Sequence, residues 1–348
     1  MVAILVAFLL QLSLHEYWFP SISAAFSNQA YYWVPAIMYL WFYSIIGAEV
    51  FLSLRDRIPA LQSQADATIH SGRREFLRTS STALCALPVV ATTFGMITRN
   101  DFAVQERRLV IPNLPEDLQG LRIVQLSDLH AGAFFDLRMV ERAVDMANGL
   151  RSDLTVITGD LITTDRDPLE GCIDRLARLK ATAGVWGCHG NHEEFSHLEG
   201  HASEYGAKRG IRFLRHEAAT LRFGNAKLNL AGVDYQSFRR KPYLVRAEKL
   251  VAPGEFNLLL SHNPDVFPVA AAKGFDVVLS GHTHGGQINL EILHQDLNVI
   301  RFFTRYSKGL YSEGSHSVYV NSGLGTIGIP VRLGAPPEIT VLTLCATA

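Results

Sequence analysis

Five β-rich apolar runs in this chain each end in a short polar cluster, and the clusters draw on the same few side chains. Ser127-Asp128-Leu129-His130 closes the run Leu121–Ser127, and Gly159-Asp160 follows Asp153–Thr158. Gly190-Asn191-His192-Glu193 follows Ala183–Cys188, and His262-Asn263-Pro264 follows Phe256–Ser261. Gly281-His282-Thr283-His284-Gly285-Gly286 follows Phe275–Ser280. Helical periodicity over Asp136–Leu150, Pro168–Lys180 and Glu193–Lys208 separates the early runs. That alternation predicts an α/β fold with a largely parallel core sheet. The later runs, which include Thr220–Phe223, Lys227–Val233, Ser317–Asn321 and Ile339–Leu344, predict a second, mixed sheet. Ligand sites in open α/β sheets lie at the carboxyl ends of strands, so five clusters are expected to converge on one crevice.

With His192 set aside, the clusters offer Asp128, His130, Asp160, Asn191, His262, His282 and His284. These donors are oxygen and imidazole, with no thiolate. Such a set suits Mn, Fe or Zn better than an all-oxygen calcium site or a thiolate zinc site. Seven donors are too many for one tetrahedral ion and fit two divalent ions that share a bridging carboxylate. Asp-x-His on an extended segment would turn both side chains to one side and let one ion take both. The glycines beside the clusters let the backbone turn sharply there.

In this order, D-x-H, G-D, G-N-H-E, a lone H and G-H-T-H resemble the calcineurin-like metallophosphoesterases, from Leu121 to about Leu344. The resemblance implies a four-layer α-β-β-α sandwich and two metals. Asp128, His130, Asp160 and His284 would hold one ion, and Asp160, Asn191, His262 and His282 the other. It implies attack on a phosphate ester or diphosphate by a hydroxide held between the ions, with the non-ligand His192 assisting the leaving group. The tail, with Tyr319–Gly325, Pro330-Val331-Arg332 and Pro337-Glu338-Ile339, is similar to a bacterial membrane-associated branch. That branch includes UDP-2,3-diacylglucosamine pyrophosphatases, which makes a lipid-linked diphosphate the alternative substrate. A non-enzymatic scaffold of the same fold is the alternative of another class, and it is disfavoured because all the donors are present.

Charge divides the chain. Residues 1–54 carry only Glu16 and Glu49, and the first lysine is Lys180. Val2–Leu14 and Tyr31–Leu54 are expected to form a transmembrane hairpin, the second stretch with an aromatic belt at one end and Arg55 and Arg57 at the other. Residues 55–78 hold five arginines, whereas residues 15–30 hold no Lys or Arg, which predicts a cytoplasmic 55–78 loop. Gly72-Arg73-Arg74-Glu75-Phe76-Leu77-Arg78 resembles a twin-arginine export signal ahead of a third apolar segment, 79–97, which would be either an anchor or a cleaved signal. The catalytic region, 98–348, is then expected outside the cytoplasm of a bacterium, at its inner or plasma membrane.

The remaining polar residues have quieter readings. Residues 101–348 carry 26 Lys and Arg against 28 Asp and Glu, so no basic footprint for nucleic acid is expected. Cys85, Cys172, Cys188 and Cys345 lack metal-site spacing and read as buried thiols. His189 adjoins the site and matches no ligand position, so it reads either as a support of the ligands or as structural. Glu193 reads either as a helix cap or as the orienter of His192. Arg332 reads as a partner of a surface carboxylate in preference to a substrate contact.

Overall fold

Successive residues of a strand face opposite ways, and this chain uses both faces of its central strands. In β2 (Arg122–Leu126), Ile123 joins one apolar cluster while Val124 and Leu126 join another. In β8 (Phe256–Leu260), Phe256, Leu258 and Leu260 share the cluster of Ile123, and Leu259 turns to a third. Strands buried on both faces require four layers. The computed structural model describes residues 90–347, apart from 238, 293 and 294, together with Gly47. The expected hairpin, the arginine loop and most of segment 79–97 lie outside the described residues. Among those described, residues 90–98 are helical, and no helix is long and apolar enough to cross a membrane.

From Thr98 to Ile327 and from Arg332 onward the chain forms one compact unit. Its first sheet contains β1 (Ala103–Ile111), β2, β3 (Leu154–Thr158), β4 (Val185–Cys188), β5 (Ile211–Phe213) and β14 (Glu338–Ala346). The order is β1-β14-β2-β3-β4-β5, parallel except where β14 meets β2. The second sheet contains β6 (Glu217–Phe223), β7 (Ala226–Gly232), β8, β9 (Val277–Ser280), β12 (Gly309–Glu313) and β13 (His316–Val320). Its order is β12-β13-β9-β8-β7-β6, parallel in the centre and antiparallel at both ends. A hairpin, β10 (Asn289–Ile292) and β11 (Gln295–Asn298), stands apart.

Leu154, Val156, Leu258, Val277, Leu279 and Leu342 fill the space between the sheets. Helices α1 (Leu137–Gly149), α2 (Leu169–Leu176) and α4 (Glu199–Ala207) cover the outer face of the first sheet through Val140, Val144, Ile173, Leu176 and Ala202. Helix α5 (Phe267–Lys273) covers the second through Phe267 and Ala270. The four-layer order expected from sequence is present, and both sheets are mixed.

Several local expectations need correction. The run Glu193–Lys208 is two helices, α3 (Asn191–Phe195) and α4, because His197 takes a left-handed φ of 56° between them. The last strand belongs to the first sheet, where β14 pairs with both β1 and β2. The exposed, charge-bearing strand β1 gives no apolar run to read, as befits a sheet edge.

Candidate active site

The strand ends do converge. Asp160 Oδ2 lies 3.0 Å from His262 Nε2 and 3.6 Å from His130 Nε2. His130 Nε2 is 3.0 Å from His284 Nε2, which is 3.4 Å from Asp128 Oδ1. The His262 and His282 ring centres stand 4.9 Å apart, and those of His130 and His192 stand 4.8 Å apart. Three overlapping groups could each hold an ion: Asp128 with His130 and His284, Asp160 with His262 and His282, and His130 with Asp160 and His192. The first two match the sets implied by sequence, apart from their shared Asp160 and from Asn191. The third contains His192, which the sequence reading kept off the metals.

The backbone that delivers these groups is not extended. Asp128 (φ 50°), His130 (46°), Asp160 (53°), His282 (75°) and His284 (51°) all occupy the left-handed region. This corrects the expectation that Asp128 and His130 share one side of an extended segment: β2 ends at Leu126, and the chain turns to bring both inward. Such conformations store strain and need support from around them. Here Asp128 accepts the Ser127 hydroxyl at 2.5 Å and the His282 N–H at 2.9 Å. The tail packs on the same turn, with the N–H groups of Leu324 and Gly325 donating to Ser127 O and Asp128 O.

Glu193 does more than either sequence reading allowed. Its buried carboxylate accepts the N–H groups of Gly190 (2.7 Å), Asp160 (3.0 Å) and Leu161 (2.7 Å). It caps α3 and also fixes the turn that carries Asp160. Burial, with Asp160 adding to it, pushes the carboxyl up to about 7. Arg332 is buried, not a surface partner. Its guanidinium donates to Gly323 O, Gly325 O and Ala335 O and lies 3.3 Å from His284 Nδ1. The sequence could not place it, because its partners are carbonyls of a turn. His189 is stacked on Phe213 and lies 2.7 Å from the Ser203 hydroxyl, and it lines the cavity beside the cluster. Cys172, Cys188 and Cys345 are free and buried.

The electrostatics fit a cation site. Burial pushes His130 and His282 down to about 3 and holds His284 well below its ordinary value. Neutral imidazole is the form that ligates a metal. Burial also pulls His262 down, but Asp160 and Asp128 outweigh it and raise the imidazole to about 10. Two buried carboxylates thus draw positive charge to this point. Among the described residues Asn191 Oδ1 is buried without a hydrogen-bond partner, a cost of about 1–3 kcal/mol that a bound cation would relieve. His192 Nδ1 is 2.7 Å from Thr163 O, which assigns the proton to Nδ1, and the backbone N–H of His192 donates to Asp160 Oδ1 at 3.0 Å. Beside the cluster, a cavity of about 510 Å³ is lined by Glu194, His197, Asp234, Tyr235, Gln236 and Arg240, among others. The Tyr235 ring also stands 5.5 Å from that of His282.

Two mixed sheets with a crowded Asp, His and Asn cluster at their carboxyl ends are the hallmarks of a metal-dependent phosphoesterase. Comparison with known proteins makes the class specific. The calcineurin-like phosphoesterase profile matches residues 121–286. The uncharacterized metallophosphoesterase YkuE of Bacillus subtilis is 31% identical, over 67% of this chain and 82% of its own. Phosphodiesterase YaeI of Escherichia coli is 29% identical, over 78% of this chain and 98% of its own. A transmembrane protein with metallophosphoesterase domain from Danio rerio is 30% identical, over 88% of this chain and 71% of its own. The chain belongs to the calcineurin-like phosphoesterase family and is a hydrolase of phosphoester bonds.

Proposed function

We propose that this chain is a membrane-associated phosphohydrolase that uses two divalent cations to cleave a phosphate ester or diphosphate. The observation that carries the reading is the meeting of Asp128, His130, His284, Asp160, His262 and His282 in groups linked through His130 and Asp160, the linking group also containing His192. Asp128, His130, Asp160 and His284 would hold one cation, and Asp160, Asn191, His262 and His282 the second. When bound, such ions supply a water of lowered pKa and neutralise charge on the phosphoryl oxygens. The protein's own part is orientation and proton handling. Thr163 O accepts His192 Nδ1–H, which leaves Nε2 as the other ring nitrogen; with a second proton on Nε2 the ring would pass that proton to the leaving oxygen and keep the one on Nδ1. The cavity beside Tyr235 has room for the group attached to the phosphate.

Membrane association rests on the charge-poor residues 1–54 and is supported by relatives named as transmembrane proteins. Export of the catalytic domain rests on Arg73-Arg74 and on the distribution of arginine between the loops. The name of the Escherichia coli relative favours a diester over a lipid-linked diphosphate.

The test is to strip the purified chain with a chelator, restore Mn, and assay monoester, diester and lipid-diphosphate panels. Activity that returns with Mn supports the reading, and full activity in the chelated state overturns it. Reporter fusions after residues 65 and 110 decide the side of the membrane. A cytoplasmic domain would overturn the export reading and favour a nucleotide-lipid diphosphate.

A further inference from the structure

Two adjacent phenylalanines, Phe302 and Phe303, are 89% and 77% exposed, the two most exposed large apolar side chains among the described residues. They cap a short helical turn, Val299–Phe302, whose Asn298 cap accepts the N–H of Ile300 at 3.0 Å. An unfavourable pair of this kind persists on a water-facing turn when something else covers it. The charge around it says what. From Leu297 to Ser312 the chain carries Arg301, Arg305 and Lys308 and no carboxylate, while the carboxylates that reach it, Asp265 and Glu313, accept the hydroxyls of Thr304 and Tyr306. Arg301 is exposed, and Arg305, which lies 3.8 Å from Glu313, is 74% exposed. Aromatic rings flanked by cations are matched to a bilayer with anionic headgroups, where rings enter the acyl boundary and cations stay among the phosphates.

The turn is fastened to the active site. Asn298 Nδ2 donates to Gly285 O at 2.7 Å, and the Thr283 hydroxyl donates to Ser307 O at 2.6 Å. Both contacts reach the segment that carries His282 and His284. We infer that the Phe302-Phe303 turn is a membrane-docking element that seats the mouth of the active site against an anionic lipid surface. This rests on the membrane-associated reading above and deepens it, since a turn placed so would present the site to phosphate carried at that surface.

The test uses the full chain with Phe303→Trp, reconstituted into vesicles whose acyl chains are brominated, compared with the parent chain to isolate the added indole. The expected result is at least about twofold quenching of the added emission in vesicles containing phosphatidylglycerol. Quenching should weaken in purely zwitterionic vesicles and in the Arg301→Gln/Arg305→Gln background, by about fivefold in the docked-to-undocked ratio for each cation removed. A chain that stays with the vesicles while the added indole is unquenched would overturn the docking inference alone. A chain that does not associate with vesicles would overturn the membrane reading and the inference together.

Discussion

The carboxylate of Glu193 accepts the backbone N–H of Asp160 at 3.0 Å while its other oxygen accepts that of Leu161 at 2.7 Å. A residue of the Gly-Asn-His-Glu cluster on α3 thereby sets the left-handed turn at the end of β3. Glu193→Gln removes the charge and leaves one acceptor oxygen for three donors. Metal affinity is expected to fall roughly 10–100-fold, the usual effect of losing a group that orients a ligand. Titration of the chelator-treated chain with Mn, followed by calorimetry, checks this; an unchanged affinity would refute the positioning role.

His192→Asn should separate chemistry from metal binding. With Nδ1 hydrogen-bonded to Thr163 O, the imidazole is held to hand over a proton. Turnover should fall by about 10²–10⁴, with metal content retained. Loss of metal along with turnover would instead place His192 among the ligands, as its grouping with His130 and Asp160 permits.

Gly281 has no room for a methyl group: a Cβ there would run into Ser127 Oγ and Asp128 Oδ2. Gly281→Ala should cost about 1–3 kcal/mol, as overpacking does, and should disturb Asp128 first. Gly254, also in a turn, faces open space, so Gly254→Ala carries only the strain of its φ of 79°. Denaturant midpoints of the two variants, with metal content measured alongside, test the contrast. Equal metal loss in both would contradict it.

Arg332→Lys keeps a charge but loses the fork that reaches Gly323 O, Gly325 O and Ala335 O together. Carbonyls left unpaired in a buried turn cost about 1–3 kcal/mol. A lower melting temperature, with near-normal substrate KM in the molecules that remain folded, is expected. A KM change without a loss of stability would make Arg332 a substrate contact after all.

The sequence made the α/β class, the central strands and the candidate donors legible because each rests on a local signal. Runs such as Phe256–Leu260 are apolar apart from Asn257 and buried at every position, and the clusters stand directly after them. What stayed hidden depends on tertiary placement. The edge strand β1 is interrupted by Gln105, Glu106, Arg107 and Arg108 and is held by β14, which lies more than 200 residues away in the chain. The left-handed turns at Asp128, His130 and Asp160 follow no spacing rule, and Asp128-Leu129-His130 directly after an apolar run reads as extended. Arg332 looked like a surface residue because a lone arginine in sequence carries no mark of the carbonyls that bury it.

The central claim is that two cations meet at Asp160. Metal content per chain, measured by emission spectrometry on the parent and on Asp160→Asn, tests it most directly. Two divalent ions are expected in the parent and loss of both in the variant, with activity lost in step. Two ions retained in Asp160→Asn, or a parent that is active with none, would contradict it.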